Sequence, residues 1–141
     1  MAISFHNDGI DFKLKEKLKH KRWIRLCLGE YGKNPGKICF VFTSNELLML
    51  MNRDYLNHNY YTDVITFEYT EDDMISGDVF ISIDQVKINA KSYGVEFAQE
   101  LRRVMIHGIL HLLGLKDEGA EEKEIMGKKE NEALHLWLKV T

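Results

Sequence analysis

The chain has little of most things that would narrow its class at once. Of 141 residues one is proline and two are cysteines, Cys27 and Cys39, without C-x-x-C spacing. That gives a disulfide framework little support and suits two buried thiols in a reducing compartment. No sign of charge is in large surplus: the net charge is -3, which excludes a molecule-wide basic surface for polyanions, so any nucleic-acid face must be local. No apolar run approaches the roughly 18 residues needed to cross a bilayer. The first residues, Met1-Ala2-Ile3-Ser4-Phe5-His6, lack the basic and apolar regions of a signal peptide, so a cytoplasmic protein with no membrane contact is expected. Internal repeats and low-complexity stretches are absent as well. What remains is 45% hydrophobic, enough for one core, and a single domain over residues 1–141 is expected.

The hydrophobic pattern alternates between strand and helix. Residues 3–7 fit a short edge strand. Asp11 is a plausible N-cap for a helix over residues 12–31, with Leu14, Leu18, Trp23, Ile24, Leu26, Cys27 and Leu28 at loose helical spacing. Seven Lys and Arg lie between Lys13 and Arg25, either a solvated helix face or an RNA-facing patch. Ile38 to Phe42 leave no polar face, so a strand over residues 37–43 should be central. Thr43 with Glu46 makes a capping box for a helix through Leu47, Leu48, Leu50 and Met51. Residues 63–69 and 78–83, either side of the acidic turn Glu71-Asp72-Asp73, suit an antiparallel hairpin. Helices follow over residues 84–92, 96–113 and 121–138, the last with an apolar stripe of Ile125, Ala133, Leu134 and Leu138. The expected architecture is α/β (α+β): a small mixed sheet of about four strands packed with helices, a metal site at the end of a core helix.

That core helix carries His107 and His111, four apart on one face, then Gly114 as a helix stop and Asp117 six residues after the second histidine. Two imidazoles and a returning carboxylate can converge on one zinc ion, leaving a fourth position for water. The layout matches His-x3-His-x2-Gly-x2-ligand zinc sites, with Asp as the last ligand and Gly108 where proteases place their glutamate base. Loss of that base disfavours a zinc amidase or protease. His135 or Glu118 as a fourth ligand would instead close a structural site. Glu100 shares the histidine face and fits two roles, acceptor of an imidazole N–H or partner of Arg103 in a surface salt bridge.

The stretch from His107 to Gly114, HGILHLLG, resembles the signature of the YbeY family of bacterial endoribonucleases, rRNA maturation factors whose pattern runs H-G-x-L-H-L-x-G-Y-D-H. Three more blocks are similar to that family in order: Met51-Asn52-Arg53-Asp54-Tyr55 with Thr62-Asp63-Val64-Ile65-Thr66-Phe67, Gly77-Asp78-Val79-Phe80-Ile81, and Met126 with Glu130. The resemblance implies a compact α/β domain, one catalytic Zn2+, cleavage of single-stranded RNA, and work on the 3′ end of 16S rRNA and ribosome quality control, with rRNA and a ribosomal subunit as partners. The chain departs from the pattern in having Asp117 for the third histidine, Leu115 and Lys116 for the tyrosine and aspartate before it, and Leu56 for an arginine. Arg53, one helical turn earlier, can supply the missing cation. The site expected on this basis is His107, His111 and Asp117 on the metal, with Glu100 and Arg53 beside it. A ribosome-assembly binding factor with a mainly structural metal is the competing function.

Overall fold

A computed structural model describes residues 2–56 and 62–140, the side chains of Tyr55 and Leu56 excepted. The elements run β1 (Ile3–Asn7), α1 (Lys17–Gly29), β2 (Asn34–Thr43), α2 (Asn45–Leu56), β3 (Val64–Glu68), β4 (Met74–Ser82), α3 (Ile83–Tyr93), α4 (Phe97–Leu112) and α5 (Ala120–Leu136), closed by a 3-10 turn at Trp137–Lys139. The sheet order is β1-β2-β4-β3. β1, β2 and β4 are parallel, and β3 pairs antiparallel with β4. β1 is therefore an edge and β2 is central, as the uninterrupted apolar run from Ile38 to Phe42 requires.

Register places Ile3 beside Ile38, Ile38 beside Gly77, Phe40 beside Val79, and Phe42 beside Ile81. These residues share one face, because side chains alternate along a strand. The face packs with Trp23, Ile24 and Leu28 of α1 and Leu101, Met105 and Ile109 of α4 in one core. Two glycines let α4 lie against it closely. A Cβ on Gly108 would stand 2.6 Å from Val79 Cγ1, and one on Gly77 would stand 2.7 Å from Leu112 Cδ2. Gly108 costs the helix about 1 kcal/mol relative to alanine, and the close approach explains its place there. No helix among the described residues is long and apolar enough to cross a membrane.

Four expectations need correction. The first helix starts at Lys17 instead of residue 12. The stretch before it is held by aromatic contacts, Phe12 packing edge-on against Phe42 and Phe97 at 5.0 and 5.9 Å, and Asp11 caps nothing. Leu18 and Leu26, expected inside, are exposed. The cap of α2 is Ser44, whose hydroxyl accepts from the Leu47 amide at 3.2 Å, while the Thr43 hydroxyl donates to the Asp8 carbonyl at 2.8 Å. In α5 the buried stripe is Met126, Glu130 and Ala133, continued by Trp137, whereas Ile125 is 47% and Leu138 76% exposed.

Candidate metal centre

The end of α4 builds the centre. Gly114 has φ 99°, a backbone conformation that side chains disfavour. With Leu113 as the cap, the Gly114 amide donates to the His111 carbonyl at 2.9 Å and the Leu115 amide to the Leu110 carbonyl at 3.0 Å. This pair of bonds is a Schellman motif, which satisfies the last helical carbonyls and turns the chain back. The turn sets the Leu115 carbonyl 3.0 Å from His111 Nδ1 and delivers Asp117 to the histidine face three residues later.

His107 is fixed from the other side. Its Nδ1 lies 2.6 Å from Glu130 Oε2 on α5, and Glu130 Oε1 accepts from Arg103 at 3.2 Å. Each imidazole thus faces an acceptor at Nδ1, so each keeps its proton there and turns the Nε2 lone pair inward. The two Nε2 atoms are 2.9 Å apart. Asp117 Oδ2 is 3.2 Å from His107 Nε2, and Asp117 Oδ1 is 3.7 Å from His111 Nε2. Two lone pairs and a carboxylate at this separation repel one another unless a cation or proton lies among them. The donor set therefore fits a metal ion, and donor atoms of the three residues lie within 4.8 Å of one another, as no other His, Cys, Asp or Glu trio does among the described residues.

Electrostatics without metal agree with that geometry. Burial alone would hold the His107 imidazolium down, but the hydrogen bond and charge of Glu130, with Asp117 and Asp63, lift it above the ordinary histidine range. Burial and the neighbouring His107 charge push His111 below it. The pair is thus built to hold one positive charge, on His107 when that charge is a proton.

Beside the centre lies a cleft of about 250 Å³ walled by Asp63, Asn89, Glu100, Arg103, His107 and Glu130 among others. Glu100 is 2% exposed; its Oε1 stands 3.6 Å from Arg103 Nε and has no hydrogen-bond partner. The salt bridge expected of Glu100 is present but buried, and the imidazole N–H offered to it goes to Glu130. Asp63 precedes β3 and accepts from Asn89 Nδ2 at 3.1 Å. Burial lifts its carboxyl above the usual range against the opposing pull of His107. Arg53 pairs with Asp54 at 3.1 Å and does not line this cleft. The position of Leu56 falls on a side chain outside the described residues. His135 lines a different cavity, between α1 and α5, and Glu118 stays outside the donor cluster.

Asp63, Asn89 and Glu130 are the site residues that pattern reasoning passed over. Asp63 and Glu130 each lie in a stretch similar to the YbeY pattern, but a strand start and a glutamate in a glutamate-rich helix carry no local signal of function.

Comparison with known proteins matches residues 3–137 to the family model Endoribonuclease YbeY. Proteins named Endoribonuclease YbeY from Bacteroides thetaiotaomicron and Parabacteroides distasonis are 45% and 46% identical to the chain, covering 96% of it and 99% and 96% of themselves. The one from Flavobacterium psychrophilum is 42% identical, with 96% of each chain covered. The solution structure of TM1509 from Thermotoga maritima has a TM-score of 0.62 at 24% identity, over 97% of this chain and 92% of that one, a likeness of fold.

Proposed function

This chain belongs to the YbeY family, and from that premise we propose that it is a zinc-dependent, single-strand-specific endoribonuclease acting on the 3′ end of 16S rRNA in ribosome maturation and quality control. One zinc ion is held by Nε2 of His107, Nε2 of His111 and an oxygen of Asp117. Two imidazoles and one carboxylate suit zinc's borderline-soft character. The observation that carries this function is the inward convergence of those three groups, with both Nδ1 protons already committed to Glu130 and Leu115.

A bound zinc ion supplies Lewis-acid activation of water and of the phosphodiester. The chain's own residues do the rest. Glu130 and the Leu115 carbonyl hold the imidazole protons at Nδ1 and keep Nε2 free. Arg103 holds Glu130 and balances part of the acidic wall formed with Glu100 and Asp63. Position 108, where a protease would carry its base, faces Val79 in the sheet, so a glutamate there would point into the core. That disfavours peptide hydrolysis on geometric grounds.

Leu56, standing where the family pattern that the sequence resembles has an arginine, favours the second function, an assembly factor with a structural metal. Incubating pure protein with single-stranded and duplex rRNA fragments, with and without zinc and beside His111→Ala, separates the two. Zinc-dependent cut ends confined to single strands and lost in His111→Ala are expected. Intact RNA in every zinc-loaded wild-type reaction would overturn the nuclease.

A further inference from the structure

A second pocket, of about 390 Å³, lies between the stretch before α1 and the start of α4. Deepening the RNA-cleaving function on which it rests, we propose that this pocket seats one nucleotide of the single-stranded RNA, its phosphate on Lys13, Lys15 and Arg102 and its base against Phe12 and Phe97.

Three features point there. The lining is apolar at Phe12, Leu14, Phe97 and Leu101 and basic at Lys13, Lys15 and Arg102, with both lysines exposed. Aromatic rings beside cations are the arrangement that single-stranded nucleic acid uses, bases on rings and phosphates on cations. Arg102 is the second feature. Its buried Nε has no hydrogen-bond partner, and its guanidinium stacks 4.4 Å over Trp137 without a carboxylate in ion-pair reach among the described residues. A guanidinium that lines the pocket with no carboxylate paired to it keeps its charge available to an anion seated there. Third, α1 and α4 both begin at this pocket, and neither has a side-chain cap. Their free amides add two partial positive charges. Glu16 and Glu96 are exposed at the rim and temper the charge by their pull on Arg102, but leave three cations facing two carboxylates. His20, also lining the pocket, is buried and held toward its neutral form.

The placement suits a strand that also reaches the metal centre. Arg102 and His107 are five residues apart on α4, roughly 7.5 Å along the axis and about 140° around it. RNA crossing the open N-terminal end of α4 can touch both faces. The basic run that stood out in the sequence then divides: Lys13 and Lys15 serve the pocket, and the later lysines remain a solvated face.

The test uses amide NMR on zinc-loaded protein titrated with 5′-AMP and, separately, inorganic phosphate, together with salt-dependent binding of a short 2′-O-methyl RNA. Two variants accompany it. Arg102→Gln removes the unmatched cation. Ala98→Asp puts a carboxylate into the first turn of α4 at an exposed position, where it favours the helix while repelling an anion. The expected result is that 5′-AMP moves the amides of Phe97 to Gln99 and Lys17 to Lys19, and that Ala98→Asp abolishes the shifts. Arg102→Gln should weaken oligonucleotide binding by about 5-fold or more and lower the salt slope by about one. Unmoved amides, or both variants binding the oligonucleotide with wild-type slope, overturn the pocket. Phosphate moving the amides while the oligonucleotide slope stays put makes it a free-anion site and overturns the RNA assignment. Shifts that persist in a protein cleaving no RNA support the pocket while the nuclease function falls.

Discussion

Glu130 is a carboxylate buried on a helix otherwise lined with solvated glutamates, and its whole value lies in what it holds. It fixes the His107 tautomer and raises that ring's basicity, so Glu130→Gln, which can still accept the Nδ1 proton but carries no charge, should lower zinc affinity about 10–100-fold while leaving the fold intact. Competition against a chelator of known affinity checks this, and an unchanged affinity would show that geometry alone suffices. The same residue hides the buried face of α5 from the hydrophobic pattern of the sequence. Met126, Ala133 and Trp137 make an i, i+7, i+11 stripe, and the member at i+4 is Glu130. A polar residue on the buried face, put there for the site, erased the period. His20 makes a separate residue-scale prediction. It is buried against Trp137 at 4.7 Å and its Nδ1 bonds the Glu16 carbonyl at 2.9 Å. Burial, with Arg102 nearby, lowers its pKa below 6.5, against the raising effect of Glu16. The unfolded chain therefore binds a proton more readily than the folded one: stability from this residue is complete above 6.5 and is lost as pH falls through the folded value. His20→Phe should lose less melting temperature than wild type between about pH 7.5 and about pH 5.5, and parallel losses would refute the assignment.

At the scale of the element, the last turn of α4 does two tasks with one glycine. Gly114 closes the helix and aims both the Leu115 carbonyl and Asp117 at the histidines, so Gly114→Ala should cost about 1–2 kcal/mol for its left-handed backbone. It should also weaken zinc binding, because two of the groups that shape the site follow the turn. Denaturant melts of metal-free protein read the first effect and zinc titration the second; a stability loss with unchanged zinc affinity would uncouple them. This element was legible from sequence because its signals are local: helical periodicity from Phe97, a histidine pair four apart, a glycine stop. The start of α1 was not. Asp11 is a sound cap in isolation, but Phe12 packs between Phe42 and Phe97, partners distant in sequence whose contacts outweigh helix propensity in residues 12–16. The one-residue shift of the α2 cap has a similar origin, since the Thr43 hydroxyl is taken by Asp8 and the adjacent Ser44 is free to cap.

For the whole molecule, the order of the sheet could be reached only in part from the chain. The centrality of β2 follows from its apolar run and the β3–β4 hairpin from its turn, but the parallel pairing of β2 with β4 depends on packing that no local pattern encodes. That packing also decides what the metal does. The core joins β1, β2 and β4 to α1 and α4 through Ile3, Trp23, Phe40, Val79, Met105 and Ile109, all buried, whereas the donor cluster sits at the border of α4 with side chains 20%, 27% and 35% exposed. Chelation should therefore leave far-UV circular dichroism and the fluorescence of Trp23 and Trp137 as they are. Melting temperature should still fall, because an ion that binds only the folded chain stabilises it by about 2.7 kcal/mol at a hundredfold excess over Kd, worth roughly 5–10 °C in a domain of this size. RNA cleavage should stop at once and return with zinc. A chain that unfolds on chelation would instead make the ion part of the scaffold, since a structural zinc carries folding free energy outright, and would favour the assembly factor over the nuclease.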